Sequence, residues 1–248
     1  MLDVKGLMVF YENALAVNSL NLDVQKGEMV GVFGSNSAGK TTLMNTIAGL
    51  TLHLKHREHR KGGQRITIVG EQIFEGNEIS NLSPSDRVKK GVVLCRERHP
   101  VFRDMSVEEN LRLGGFLIKD PAKIEESIDL VYKIFPPLIK LKARSAGLCS
   151  GGEQEMVAIG MALVARPKLM LLDEPLLGLS PVMQAIVVQA LKDIRSLDVT
   201  VLLSEQYARP IMPHIDRGFI IENGTLIMSG TKEELMDNPE VMSAYFGM

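Results

Sequence analysis

Residues 34–42 read Gly34-Ser35-Asn36-Ser37-Ala38-Gly39-Lys40-Thr41-Thr42, the spacing G-x-x-x-x-G-K-[ST], which ties a local fold to a phosphate ligand. Glycines at these positions let a loop wrap its backbone N–H groups around phosphate oxygens, and the helix that follows presents its positive end to them. Lys40 is placed to reach the β- and γ-phosphates of a nucleotide, and the Thr41 hydroxyl to coordinate Mg²⁺. The flanks agree: Met29-Val30-Gly31-Val32-Phe33 is a short apolar run suited to a strand, and Thr42 to Ala48 carries a helical pattern. One position departs from the usual loop, Ser37, where glycine is common; altered affinity rather than lost binding is expected there.

A second apolar run, Leu169-Met170-Leu171-Leu172, leads straight into Asp173-Glu174-Pro175. Such a run suits a strand buried on both faces of a parallel sheet. Its two terminal acids then stand at the carboxyl edge, where open α/β sheets bind ligands. Asp173 suits Mg²⁺, directly or through water, and Glu174 suits orienting the attacking water of phosphoryl transfer. A third element, Cys149-Ser150-Gly151-Gly152-Glu153-Gln154, precedes an apolar helical stretch to Ala165. Ser150, Gly151 and Gly152 there form another helix start able to bind an anion, although a plain serine cap is the simpler reading.

At 248 residues the chain has ample material for a core, and 45% apolar with 23% charged residues is ordinary globular composition. A net charge of −2 offers no electrostatic reason for nucleic-acid binding. No apolar stretch approaches the ~20 residues needed to span a bilayer. The N-terminus has interspersed charges and no cleavage site, so no secretory signal is expected. Cys95 and Cys149 are the only cysteines, so reduced thiols are expected rather than a disulfide framework. The sharpest shift in composition, His53 to Lys61, holds three histidines at helical spacing. It is expected to be a solvated basic loop, with contact to acidic lipid headgroups or an acidic partner surface as the functional alternative.

The order GSNSAGKTT, CSGGEQ, LMLLDEP resembles the ATP-binding cassette (ABC) proteins over nearly the whole chain. Residues 148–167, together with DEPLLGLSP (173–181), VLLSEQ (201–206), DRGFIIENG (216–224) and PVFRDMSVEENL (100–111), are similar to ATP-binding subunits of branched-chain amino-acid transporters. The resemblance implies an α/β fold: a P-loop NTPase (RecA-like) core with an antiparallel β portion, and an inserted helical lobe. The chain would be one cassette, with core and β lobe at 1–97 plus 166–248 and the helical lobe at about 98–165. It implies that two cassettes pair head to tail, as a homodimer or a heterodimer with a paralogous cassette, with the phosphate loop of one and the Ser150–Gly152 segment of the other enclosing each ATP. Family roles then fall on Tyr11 for adenine stacking, Glu97 near Mg²⁺ or its water, and Gln206 where most cassettes place the γ-phosphate-sensing histidine. Departures from the family pattern are Ser37, Cys149 for leucine, Met161 for arginine, Ser180 for aspartate and Gln206 for histidine. Cys149 is expected to matter through packing.

The resemblance implies an ATPase that works with membrane permease subunits, engaged through a groove near Glu97 to Phe102, at the cytoplasmic face of the membrane. The solute would be branched-chain amino acids, with urea or short amides as runner-up. A soluble ATP-driven clamp and a weakly hydrolysing regulatory cassette are the other classes to weigh. The segment from Thr51 to Ile79 is longer than this subfamily leads one to expect, and an extended hairpin is expected around Gly70-Glu71.

Overall fold

The computed structural model describes residues 1–98 and 100–246, with side chains to Ser243. Two sheets form the frame. The first is antiparallel, in the order β2 (Ala14–Val24), β1 (Leu2–Tyr11), β4 (Ile66–Phe74), β5 (Asn77–Glu78). The second holds six strands: β10 (Thr225–Thr231), β9 (Arg217–Glu222), β3 (Met29–Phe33), β8 (Thr200–Glu205), β7 (Leu169–Asp173) and β6 (Val92–Cys95). Strands β9 to β6 run parallel, and β10 closes one edge antiparallel.

Every residue of β3, β7 and β8 is buried, which is why these segments read as unbroken apolar runs rather than alternating ones. One apolar cluster lies between the two sheets and includes Leu43, Met44 and Ile47 of α1 (Lys40–Ile47). The helix that follows the phosphate loop is therefore clamped between sheets. A second cluster joins the opposite face of the parallel sheet to the helices inserted between β6 and β7: α4 (Val107–Gly114), α5 (Pro121–Ile134) and α6 (Gly151–Val164). Two further helices, α2 (Leu50–His59) and α3 (Pro84–Lys90), lie between α1 and β6. Helix α7 (Pro181–Arg195) crosses between β7 and β8, and α8 (Lys232–Met236) and α9 (Pro239–Phe246) end the chain.

Helix starts follow local chemistry. Ser106 and Ser150 each close a reciprocal capping box, with Glu109 and Glu153. Ser180 accepts a hydrogen bond from the Met183 N–H at the head of α7, with Pro181 next in line. The family departure at Ser180 is thus a working helix cap.

Two expectations are corrected. The basic stretch His53 to Lys61 is not a loop: it is mostly α2, a helix whose only buried residues are Thr51 and Leu52. Its lack of an apolar stripe hid it, because its stability comes from packing of its first turn against α1 and β4. The stretch Ile66 to Phe74 is not a hairpin around Gly70-Glu71 but one strand, paired with β1 throughout and bulged between Lys5 and Met8. Gly70 takes φ +101°, and a Cβ there would lie 2.6 Å from the carbonyls of Lys5 and Gly6. The glycine marks a close backbone approach rather than a reversal. Among the described residues no helix is long and apolar enough to cross a membrane.

Candidate active site

Parallel register brings the ends of three strands to one edge. Phe33 of β3 pairs with Glu205 of β8, and Asp173 of β7 pairs with Ser204. The 34–39 loop, the Asp173-Glu174 pair and the residues after Glu205 therefore emerge side by side, at the carboxyl edge where such sheets bind ligands.

The loop's shape is enforced from behind. A Cβ on Gly34 would sit 2.4 Å from the Ile221 carbonyl oxygen, and one on Gly39 (φ +104°) 2.5 Å from that of Ala16. The β9–β10 turn adds a bond from the Gly224 N–H to the Ala38 carbonyl, 2.9 Å. Ser37 holds φ +67°, the left-handed conformation that explains the usual glycine there. No side chain caps the start of α1, so its first N–H groups are left to an anion.

Lys40 is almost fully buried. Its Nζ donates to the carbonyls of Gly34 (2.8 Å) and Ser35 (3.0 Å) and lies 3.1 Å from Oε1 of Glu174. Thr41 Oγ1 donates to Asp173 Oδ1 at 3.3 Å, and Ser204 Oγ donates to the same oxygen at 2.6 Å. Burial pushes the Asp173 carboxyl up, the hydrogen bonds from Ser204 and Thr41 pull it down, and the nearby Glu97 and Glu174 charges push it up again. A hydroxyl and a carboxylate oxygen are hard donors that fit Mg²⁺, an ion that takes one or two carboxylates and completes its shell with phosphate and water. Among the described residues there is no cluster of three or more His, Cys, Asp or Glu that could hold a metal by itself.

Glu174 adopts φ +52°, a left-handed conformation costing a residue other than glycine about 1–2 kcal/mol. Strand β8 holds it there. The Glu174 N–H donates to the Ser204 carbonyl at 3.0 Å, and two residues on, the Leu176 N–H donates to Glu205 Oε1 at 2.8 Å. Glu205 is buried, and burial pushes its carboxyl up to about 8.

An open cleft of about 530 Å³ lies over these groups, lined by Tyr11, Ala16, Asn36 to Thr42, Glu97, Arg98, Glu174 and Leu177. Tyr11 and Glu97 are thus brought to the phosphate loop. Asp173 lies buried beneath the cleft, while Gly34 and Ser35 hold Lys40 through their backbone. Gln206 follows β8 directly and stays off the cleft wall. The structure does not bring Ser150, Gly151 and Gly152 there either: they head α6, where Ser150 and Glu153 satisfy each other. Ser204 and Glu205 were missed by the reading of the sequence, which stopped at Gln206. Their signal was two polar residues ending the fully buried strand after Val201-Leu202-Leu203.

The site and sheet are those of a nucleotide-hydrolysing α/β protein with a phosphate-binding loop, and comparison with known proteins narrows the class. The family model described as ABC transporter matches residues 17–177. The high-affinity branched-chain amino acid transport ATP-binding protein BraG of Pseudomonas aeruginosa is 37% identical over all of both chains. The probable branched-chain amino acid transport ATP-binding protein LivF of Archaeoglobus fulgidus is 30% identical over all of this chain and 99% of its own. The crystal structure of a nucleotide-free ATP-binding cassette from an ABC transporter superposes with a TM-score of 0.81 at 25% identity, over all of this chain and 99% of that one. The chain belongs to the ABC transporter family, as one of its ATP-binding, ATP-hydrolysing cassettes.

Proposed function

We propose that this cassette powers the import of branched-chain amino acids, binding Mg²⁺-ATP in the cleft and hydrolysing it between two cassettes. One observation carries the chemistry: Lys40, Thr41, Asp173 and Glu174 meet at a single sheet edge, with Glu174 held in a strained conformation above the buried pair Asp173–Ser204. Branched-chain solutes rest on BraG and LivF, relatives over the full chain that are named for that transport.

The roles follow from position. The amides of Ser35 to Thr42 and the head of α1 bind phosphate oxygens. Thr41 and Asp173 hold the metal, with Glu97 on the cleft wall close enough to approach it or its water. Mg²⁺ bound there would supply charge neutralisation to the phosphates. Tyr11 stacks on adenine, sequence-tolerant contact with a π-face. Lys40 now shares its charge among two carbonyls and Glu174. Drawn to phosphate, it gives up the Glu174 carboxylate, which is then free to orient water; Gln206, off the cleft wall here, would reach the γ-phosphate only if the segment after β8 moved toward it. Catalysis of this kind is positioning and electrostatics, not covalent chemistry.

The Ser150–Gly152 segment lies off the cleft and is exposed at Ser150 and Gly151, and Leu148 and Val182 near it are 68% and 71% exposed. These features support a second cassette, paired head to tail, whose phosphate loop they would face. An apolar groove of about 360 Å³, lined by Cys95, Pro100, Leu113, Phe116, Leu117 and Met161 among others, suits a helix from a membrane permease subunit. It overlaps the expected stretch Glu97 to Phe102, of which His99 lies outside the described residues. Met161, where the family has arginine, adds apolar wall to this groove. Such docking would hold the cassette peripherally at the cytoplasmic face of the membrane. Residues 98–165 would act as the lobe that carries motion to the permease, against a core of 1–97 and 166–248.

The test is ATP hydrolysis by the purified chain, alone and with its co-purifying partners, beside Glu174→Gln. The variant is expected to bind ATP as before and to turn over about 10²–10⁴-fold more slowly. Undiminished turnover would remove Glu174 from the chemistry.

A further inference from the structure

We propose that α2 and the turn after it form a cationic foot that rests on an anionic lipid surface. The inference rests on the importer reading, which brings the cassette to a membrane, and extends it to a surface that reading does not use.

Seven of the nine residues from His53 to Lys61 are His, Lys or Arg, and the one acid is Glu58. The chain as a whole is net −2, so this positive charge is concentrated locally. Glu58 is turned to Arg65, accepting from its backbone N–H at 3.2 Å and lying 3.8 Å from its Nε. Lys55, Arg57, Arg60 and Lys61 have no ion-pair partner among the described residues. Their placement at the C-terminal end of α2 suits the helix dipole, but no ion pair among the described residues draws these four charges back onto the protein, so they stay available to an outside surface. Leu54, 43% exposed, lies on one helical face with Arg57, at i and i+3, while Lys61 follows in the turn after the helix. An apolar side chain set among long cationic stems matches the boundary between headgroups and acyl chains.

Position agrees. Arg87 of α3 ties down the junction from which α2 springs, donating to the carbonyls of Thr46 and Ile47, and its guanidinium packs beside Gly49. The next residue on α3, Val88, lines the apolar groove proposed for the membrane subunit. Foot and groove thus share α3 as a common neighbour. Nucleic acid is the poorer match, because the segment lacks the aromatic platforms of single-strand binding.

The experiment is co-sedimentation of the full chain with vesicles of phosphatidylcholine, with and without about a third phosphatidylglycerol. ATP affinity is measured on the same preparations. Wild type is expected to sediment with the anionic vesicles alone and to be released by salt. The triple variant Arg57→Gln, Arg60→Gln, Lys61→Gln is expected to lose about a hundredfold in partition, near fivefold per cation, with unchanged ATP affinity. Equal sedimentation with neutral vesicles, or wild-type partition by the triple variant, would overturn the proposal. So would capture by an acidic polypeptide such as polyglutamate with no vesicle binding, which would make the foot a protein-docking surface. Wild-type failure to bind ATP would sink the importer reading instead and leave the vesicle result standing.

Discussion

Arg87 is the largest wholly buried side chain among the described residues, and no carboxylate pairs with it among them. Its guanidinium donates to the carbonyls of Thr46, Ile47, Ser80 and Leu82 and to Oε1 of Gln72. Two of those carbonyls belong to the end of α1, the negative pole of the phosphate-loop helix, which offsets the buried charge. Burial nonetheless pushes the group down to about 10. Arg87→Met should leave these acceptors unpaired and cost about 3 kcal/mol or more in a urea titration, and Arg87→Lys should recover only part, since one ammonium cannot serve that fan of acceptors. Glu205 makes a different prediction. Its carboxyl, near 4.5 when unfolded, is pushed up to about 8 in the fold, so the native state holds the extra proton between those values. Its stabilising contribution is complete below about pH 4.5 and is lost as pH rises through 8. Glu205→Gln should therefore flatten the fall of stability across that window, read by urea midpoints at several pH values; an unchanged slope would count against a protonated Glu205. Neither residue was legible in the sequence, whereas Gly34, Lys40, Thr41, Asp173 and Glu174 were. Each of the latter sits in a short run with its own pattern, the G-x-x-x-x-G-K-T loop or an apolar strand ending in Asp-Glu, even though Thr41 and Asp173 meet across 132 residues of chain. Arg87 and Glu205 act on partners up to 41 and 29 residues away, and no local pattern announces that.

Elements split along the same line. Helices α1 and α6 and strands β3 and β7 were legible because burial on all sides leaves a continuous apolar signature, and because serine caps and glycine turns punctuate them. Helix α2 was not, since only its first turn, at Thr51 and Leu52, is buried and no apolar stripe runs along the rest. Strand β4 was half legible: its apolar runs at Ile66–Val69 and Gln72–Phe74 were seen, but Gly70 between them invited the wrong reading of a turn. The structure shows Gly6 at φ +56° facing Gly70 at φ +101° across the bulge, a pair of glycines 64 residues apart where two backbones nearly touch. Gly70→Ala should accordingly destabilise the protein by about 1–3 kcal/mol from the backbone conformation alone, and by more if the carbonyls of Lys5 and Gly6 cannot retreat. Gly76→Ala serves as its control, since Gly76 has φ +75° but open space around its Cβ position. A thermal melt in which both variants shift equally would mean that left-handed strain, and not the close approach, sets the requirement for glycine at 70.

On the scale of the whole molecule, the order of motifs was enough to expect a cassette, but the meeting of its parts was not readable from the order alone. The cleft gathers Tyr11, Glu97 and the phosphate loop and leaves Ser150 at the head of a different helix. The proposed pairing would bring the Ser150 segment of one cassette to the phosphate loop of the other, and one isologous contact about a twofold axis would then complete both sites. This geometry makes a prediction that no single substitution can test. Lys40→Ala disables the phosphate loop of its own chain, and Ser150→Arg blocks the partner-facing segment of its own chain, so each homogeneous preparation should lose hydrolysis. In a mixed pair, one composite site carries both lesions and the other carries neither. Mixing the two inactive proteins in equal amounts should then restore about a quarter of wild-type turnover, half the pairs being mixed with one sound site in each. Were each site built within one chain, the mixture would stay as inactive as its parts. A mixture that stays inactive although cross-linking shows mixed pairs would exclude the head-to-tail arrangement for two copies of this chain. Recovery near a quarter would place Ser150 across the interface from Lys40, and would give the exposed Leu148 and Val182 their partner.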